Sequence, residues 1–535
     1  MNVRLRSQFA SWTVAALLVL ATSVVACVDE KIVFRDAPRF QNPPANAGNY
    51  LGYTDTTAKA TACGSCHVGI QAEWRGTAHA NAWASLPANA QAFCQNCHAV
   101  TSLGNADTSS TAGWAGTRDP RYKDVQCENC HNAGLTHASN PTTANIPLPS
   151  MNVDTSQAGR RGTCGECHAG AHHPYLTEWR SSSHGAMPNW NSPKTRPECQ
   201  ACHTGQGALR MYGVDAESNY REKNFAGGDT LRITCAVCHD PHANRNTGQL
   251  RLSVTDADPE RNLCMKCHNR RAIPEISSQT RGPHSAEGPL VIGTAGWEPP
   301  GVDIPSVPAT HGSATANPRL CATCHVTRFT VTDAAGGFSY QVTGHGFHAA
   351  PCVDASGRPT AAQNCAYTAA ARNLNSCATS GCHTGGPTQA ATITTSRIGT
   401  VATIGGVLRG LLNNPALAGQ IAQNTVYTVA EGARFNWLLA FDSLSGGPVG
   451  GAPKVGALVH NGPRVEALLN ASIVALRAAY PALPQSATAA EEAVLRESMA
   501  RTGVKLTDAK ALVNAKSIVA PTSINGSITG TEPQH

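Results

Sequence analysis

Aromatic residues make up only 5% of the 535 positions and charged residues only 14%. A chain of this length could hold two to four domains, yet the usual fillers of an interior are scarce. Something else must occupy the core. Long apolar runs are missing as well. Past the N-terminal segment no stretch approaches the ~20 uninterrupted apolar residues that a membrane-spanning helix needs. What the chain has in quantity is glycine and proline, 49 and 33 residues, and an unusual stock of cysteine and histidine, 21 of each.

The cysteines are not scattered. Residues 63–83 read CGSCHVGIQAEWRGTAHANAW, a CxxCH followed by a tryptophan and a second histidine. Eight sets have this form: Cys63, Cys66 and His67; Cys94, Cys97 and His98; Cys127, Cys130 and His131; Cys164, Cys167 and His168; Cys199, Cys202 and His203; Cys235, Cys238 and His239; Cys264, Cys267 and His268; Cys321, Cys324 and His325. A ninth is stretched to CATSGCH, with Cys377, Cys382 and His383. Random placement at this composition would give roughly 0.03 CxxCH matches, so chance is excluded. Two thiols one turn apart can add to the two vinyl groups of one porphyrin, and the adjoining histidine then lies under the iron. Zinc would need two CxxC units per ion and no fixed histidine. The pattern therefore predicts nine covalently attached haems c.

Nine haems between residues 63 and 383 leave about 36 residues for each, too few for ordinary apolar cores. The macrocycles are expected to be the core, and the fold class follows: haem-dominated, mostly coil with short helices and little β structure. Sites one to three and four to six form a duplicated unit. CGSCH is matched by CGECH, CQNCH by CQACH, and the element EWRxxxH recurs, ending first at His79 and then at His184. This places repeats at 63–163 and 164–262, followed by a divergent three-haem segment, 263–387. After Pro387 the cysteines stop. Residues 388–535 are expected to form a separate, haem-free, partly helical cap. One helix runs from about Pro463 to Tyr480 on a stripe of Val465, Leu468, Leu469, Ile473 and Leu476. Another runs from a Thr488/Glu491 capping box to Gly503, before a flexible tail.

Setting aside the nine proximal residues leaves His79, His137, His172, His173, His184, His242, His284, His311, His345, His348, His460 and the terminal His535. Counting His172/His173 and His345/His348 once each and omitting His535 gives nine candidates for nine irons. They are expected to be distal ligands, with His79 reaching an iron that need not be its neighbour's.

The N-terminus, MNVRLRSQFASWTVAALLVLATSVVAC, has Arg4 and Arg6 ahead of an apolar run, the form of an export signal over 1–26. VVAC fits a lipobox that would leave Cys27 acylated at the start of a 27–62 linker, although Val24-x-Ala26 also suits ordinary cleavage. Cysteine accounting favours the lipobox. Cys352 and Cys365 lie outside the haem sites and can pair with each other, which leaves Cys27 alone in an oxidising compartment. The expected location is the periplasm or the outer membrane and cell surface. The formal charge of +6 loses the two leader arginines, and each oxidised bis-histidine haem with ionised propionates subtracts about one more, leaving the holoprotein near roughly −5. Nucleic acid is not an expected partner.

The element CxxCH…Trp-x-x-[Ser/Thr]-x-His, here Trp74 to His79 and Trp179 to His184, resembles the multihaem c-type cytochromes. That family holds the tetrahaem electron carriers of ammonia oxidisers, hydroxylamine oxidoreductase-like and other nitrogen and sulfur reductases, and outer-membrane electron-transfer cytochromes. CHDPH at 238–242, RGPH ending at His284 and VHNGPRVEALL from Val459 are similar to the same family. The CxxCK site that marks a catalytic haem in pentahaem nitrite reductases is absent. The resemblance implies an electron carrier working with other redox proteins in anaerobic or metal-linked respiration. A reductase of nitrite, hydroxylamine or a sulfur oxyanion is the second reading, and self-assembly into a cytochrome filament the third.

Overall fold

The computed structural model describes residues 40–514 apart from 102–110, 154–163, 188–194, 215–218, 225–229, 275–281, 306–309, 333–334, 379–381, 422–426 and 443–450. The expected leader, Cys27, the tail and His535 lie outside the described residues.

From residue 40 to about 385 the chain runs as coil broken by short elements: α1 (Val68–Trp74), α2 (Cys127–His131), α3 (Tyr175–Ser181) and α4 (Glu287–Val291) are five to seven residues long. Strands among the described residues form only two-stranded antiparallel pairs, the largest being Phe329–Thr332 with Phe338–Val342. The CxxCH sets occupy single helical turns, because one turn is what brings two thiols to the same side. In several sets the histidine amide donates to the carbonyl of the first cysteine: His67 to Cys63 at 3.0 Å, His168 to Cys164 at 3.0 Å and His239 to Cys235 at 2.9 Å. The stretched ninth set closes the same way. The amide of His383 donates to the carbonyl of Cys377 at 3.2 Å, so the set closes on its first cysteine despite its longer spacing.

Outside residues 272–302, the apolar clusters of this region are small, such as Tyr50, Ala99, Val100, Trp114 and Tyr122, or Ala208, Leu209, Tyr220, Ile233 and Val237. Cys352 and Cys365 are disulfide-bonded. A loop of this length makes the bond worth ~3 kcal/mol, so a Cys352→Ala/Cys365→Ala double variant should lose about that much in a denaturant titration.

The C-terminal region departs from expectation in two ways. Its helices are long: α5 (Gly386–Leu412) has 27 residues and α7 (Val455–Ala479) has 25, with α6 (Val429–Ala440) and α8 (Ala489–Thr502) packed between and beside them. They enclose a true apolar core that includes Ile404, Leu408, Trp437, Leu468, Leu469, Ile473 and Leu476, each buried. The macrocycles are therefore not the only core. Nor does the region stand apart. Ala286, Leu290, Ala295, Trp297 and Val302 of the third haem segment belong to the same cluster, and Val302–Asp303 pairs with Lys505–Leu506. Asn436 clasps the Trp297 peptide from both sides, accepting from its N–H at 2.7 Å and donating to its C=O at 2.8 Å. A Cβ on Gly432 would sit 2.2 Å from the Trp297 ring, so α6 needs glycine where that indole lies against it.

The two helix ends read from local chemistry are where they were expected. Thr488 and Glu491 form the capping box, and Gly503 ends α8 with φ 71°. Helix α7 begins before Pro463 but breaks at Asn461 (φ −157°, ψ 74°), so the regular helix restarts at the proline. The Asn461 side chain caps the restart by accepting from Arg464 N at 3.0 Å.

Candidate haem sites

The Trp-x-x-[Ser/Thr]-x-His element has the same geometry in both copies. At the end of α1, Trp74 Nε1 donates to the carbonyl of Val125 at 3.1 Å; near the end of α3, Trp179 Nε1 donates to that of Ile233 at 2.7 Å. Each acceptor stands two residues before the first cysteine of its unit's third site. Thr77 and Ser182 then donate back to the tryptophan carbonyl, each at 2.7 Å. That turn delivers His79 and His184. The glutamate of EWR braces a different segment. Glu178 accepts from Thr343 N (2.8 Å), Thr343 Oγ1 (2.6 Å) and His345 N (2.7 Å), while Glu73 pairs with Arg245, close to His242.

Seven candidate distal histidines face seven proximal ones, ring centre to ring centre: His79 with His168 at 6.2 Å, His242 with His131 at 6.2 Å, His284 with His203 at 6.0 Å, and His345 with His239 at 6.2 Å. His184 with His268 at 6.3 Å, His460 with His325 at 6.0 Å and His311 with His383 at 6.3 Å complete the set. A metal–imidazole bond is about 2.0–2.1 Å and a ring nitrogen lies about 1.1 Å from its ring centre, so two imidazoles on one iron have centres roughly 6.3 Å apart. The residues present fit a six-coordinate haem iron in all seven cases.

The contacts made by Nδ1 agree with ligation through Nε2. Nδ1 of His98, His131, His239 and His325 faces the carbonyls of Ala82, Pro147, Gly248 and Phe347 at 2.6–2.8 Å, and Nδ1 of His311 faces that of Val459 at 2.5 Å. A carbonyl accepting from Nδ1–H keeps the ring proton on Nδ1 and leaves Nε2 bare for a metal. Burial, reinforced by neighbouring imidazoles, pushes His168 down to about 3 and His184, His345 and His460 to about 4, so these rings are held neutral, the ligating form.

Three family profiles match: "Cytochrome c554 and c-prime" over residues 62–132, "Cytochrome c7 and related cytochrome c" over 116–204, and "Doubled CXXCH motif" over 223–272. The chain is a multihaem c-type cytochrome. No curated protein and no solved structure matches it.

The cytochrome's two close histidine pairs divide cleanly. His345 faces the His239 ring, whereas Nε2 of His348 is 3.1 Å from Gln363 Nε2. His173 lies within electrostatic reach of His98, whereas His172 stacks on Phe338 at 4.3 Å. His137 has its Nδ1 on Asn145 Oδ1 at 3.0 Å. Neither His67 nor His98 has a ring facing it at the distance of the seven pairs, among the described residues.

Thiols of different sites also meet. Cys63 contacts Cys127, Cys164 contacts Cys235, and Cys264 contacts Cys321; Cys97 contacts Cys167, and Cys202 contacts Cys267. The first set joins sites 1–3, 4–6 and 7–8, and the second joins 2–4 and 5–7. His79 lies near both His168 and His239, and His184 near both His268 and His325. Sites seven and eight thus occupy the places of the first and third sites of a unit whose middle site is missing. The divergent segment is a shortened repeat followed by site nine, an alignment hidden in the sequence because no CxxCH lies between Cys267 and Cys321.

Glu287 was also not legible beforehand. Its Oε2 is 3.3 Å from His268 Nδ1. Burial works to lower His268, but this carboxylate raises it overall. Burial likewise opposes ionisation of Glu287, yet the contact with His268 holds its carboxyl at about 2.

Proposed function

We propose that the chain is an exported nonahaem electron carrier whose irons are all ligated by two histidines. The observation that carries this reading is the set of seven facing imidazole pairs, each joining the proximal histidine of one site to a histidine from another part of the chain. Such an iron has no vacant position, so it exchanges electrons without binding substrate, at potentials below those of histidine/methionine cytochromes.

The attachment thiols fix porphyrin edges, so thiols in contact bring two edges side by side. The thiol contacts, together with the electrostatic nearness of Cys130 to Cys164, Cys238 to Cys267 and Cys324 to Cys377, support a main line through sites 1, 3, 4, 6, 7, 8 and 9, with sites 2 and 5 as branches from 4 and 7. The leader and Cys27 support export and an outer-membrane lipid anchor, in keeping with periplasmic or extracellular respiratory transfer to other redox proteins. Repeat stacking is the feature that would favour self-assembly.

Intact mass of the mature holoprotein should show nine haem additions. Electron paramagnetic resonance of the oxidised protein should show low-spin haem only, and carbon monoxide should leave the reduced spectrum unchanged. A stoichiometric high-spin signal, or carbon monoxide uptake at one haem, would replace this reading with the reductase, and the haem at Cys63 would be the place to look.

A further inference from the structure

Among the described proximal histidines with an Nδ1 partner, four face backbone carbonyls and His203 faces Met187 Sδ at 3.2 Å. His268 faces a carboxylate, Glu287 Oε2 at 3.3 Å. Backbone geometry builds this contact. Glu287 opens α4, and α4 is lashed to the seventh site by Gly288 N donating to His268 O at 2.9 Å and Arg270 N donating to Ser285 O at 3.1 Å. A Cβ on Gly288 would come within 2.8 Å of the His268 carbonyl, so the approach depends on glycine there. The seventh site is also a junction. Cys267 meets Cys202 of the fifth site, Cys264 meets Cys321 of the eighth, and Cys238 of the sixth lies beside both.

We propose that Glu287 makes the seventh haem the most reducing of the nine. The inference rests on His268 ligating that haem. A carboxylate at Nδ1 draws the N–H proton toward itself, makes the imidazole a stronger donor to iron, and adds a negative charge that favours ferric over ferrous iron. A backbone carbonyl does this more weakly. The step concerned is one electron passing from a neighbouring ferrous haem, or from a reduced donor protein, to the ferric seventh haem. No bond breaks and the Nδ1 proton stays between the two residues. With its potential lowest at the junction, the seventh haem passes electrons among the fifth, sixth and eighth sites without retaining them.

The test is a spectroelectrochemical titration of the holoprotein and Glu287→Gln, each first shown by mass to carry nine haems. The ferric preference of the lowest-potential component should fall about tenfold, an upward shift near 59 mV for a one-electron couple, and one low-spin resonance signal should move with it. Coincident titrations with nine haems in both proteins would overturn the inference while leaving the ligation reading intact. Loss of the seventh haem from the parent would instead sink the ligation reading. Should Glu287→Gln fail to fold, His184→Met alters the other ligand of the same haem and raises its potential. The component that moves must again be the lowest, and movement of any other overturns the proposal.

Discussion

Replacing His460 by alanine should create one carbon monoxide-binding, high-spin haem where the parent should show none. His460 projects from α7 immediately before the break at Asn461, with its ring 6.0 Å from that of His325. The break is held on several sides. Asn461 Nδ2 donates to Leu290 O at 3.2 Å, Arg464 Nε to Ala295 O at 3.1 Å, and Arg464 also pairs with Glu298 at 2.6 Å. The neighbouring Val459 carbonyl receives His311 Nδ1, so one turn of α7 presents the proposed ligand of the eighth site and steadies that of the ninth. His460→Ala removes only the first of these. The variant should retain nine haems by mass, show a high-spin signal equal to one haem, and change its reduced optical spectrum with carbon monoxide by about one-ninth of the total. An unchanged spectrum would mean that the eighth iron takes its sixth ligand elsewhere. Removing the whole C-terminal region would be a poorer experiment, since Trp297 and Val302 share its core and their loss of cover would unfold the third segment as well.

The legible parts of this protein are the ones whose causes are local. A CxxCH names its cofactor because the two thiols and the histidine are all supplied within one turn, and α8 was readable because Thr488, Glu491 and Gly503 cap their own helix. Helix α5 was not. Its run of Thr, Ile and Gly draws no sustained apolar stripe, and its length is set by burial of Val401, Ile404, Leu408 and Leu411 against distant helices. The same division runs through the haem sites. That His79 is a ligand candidate could be read from its place after Trp74; that it faces His168, three sites further on, could not, because the fold and not the motif aims it. Glu287 gave no signal for a related reason: its partner lies across a turn, and nothing beside it marks a redox site.

The pairings obey a rule that singles out the first haem. His79 of the first unit faces the first-type site of the second, and His184 of the second faces that of the third. Third-type sites are faced from the following unit: His131 by His242, His239 by His345, and His325 by His460 of the C-terminal region. Each unit therefore completes its neighbours, and two valences are left over at the N-terminal end. Residues 1–62 hold no histidine that could face His67. The first unit's His137, the counterpart of His242, has no earlier third-type site to face. Its Nδ1 is engaged by Asn145, which leaves Nε2 for a metal. The other spare rings are committed, His172 to Phe338 and His348 to Gln363. His137 is thus the candidate sixth ligand of the first haem, folding back to close the end of the array. His137→Ala should open one iron, with carbon monoxide uptake rising from none to about one haem per molecule, and combination with His460→Ala should double it, because the two irons share no ligand. If the parent already takes up carbon monoxide at one haem and His137→Ala adds nothing, the first iron is open in the native protein and the chain has a place to bind a substrate.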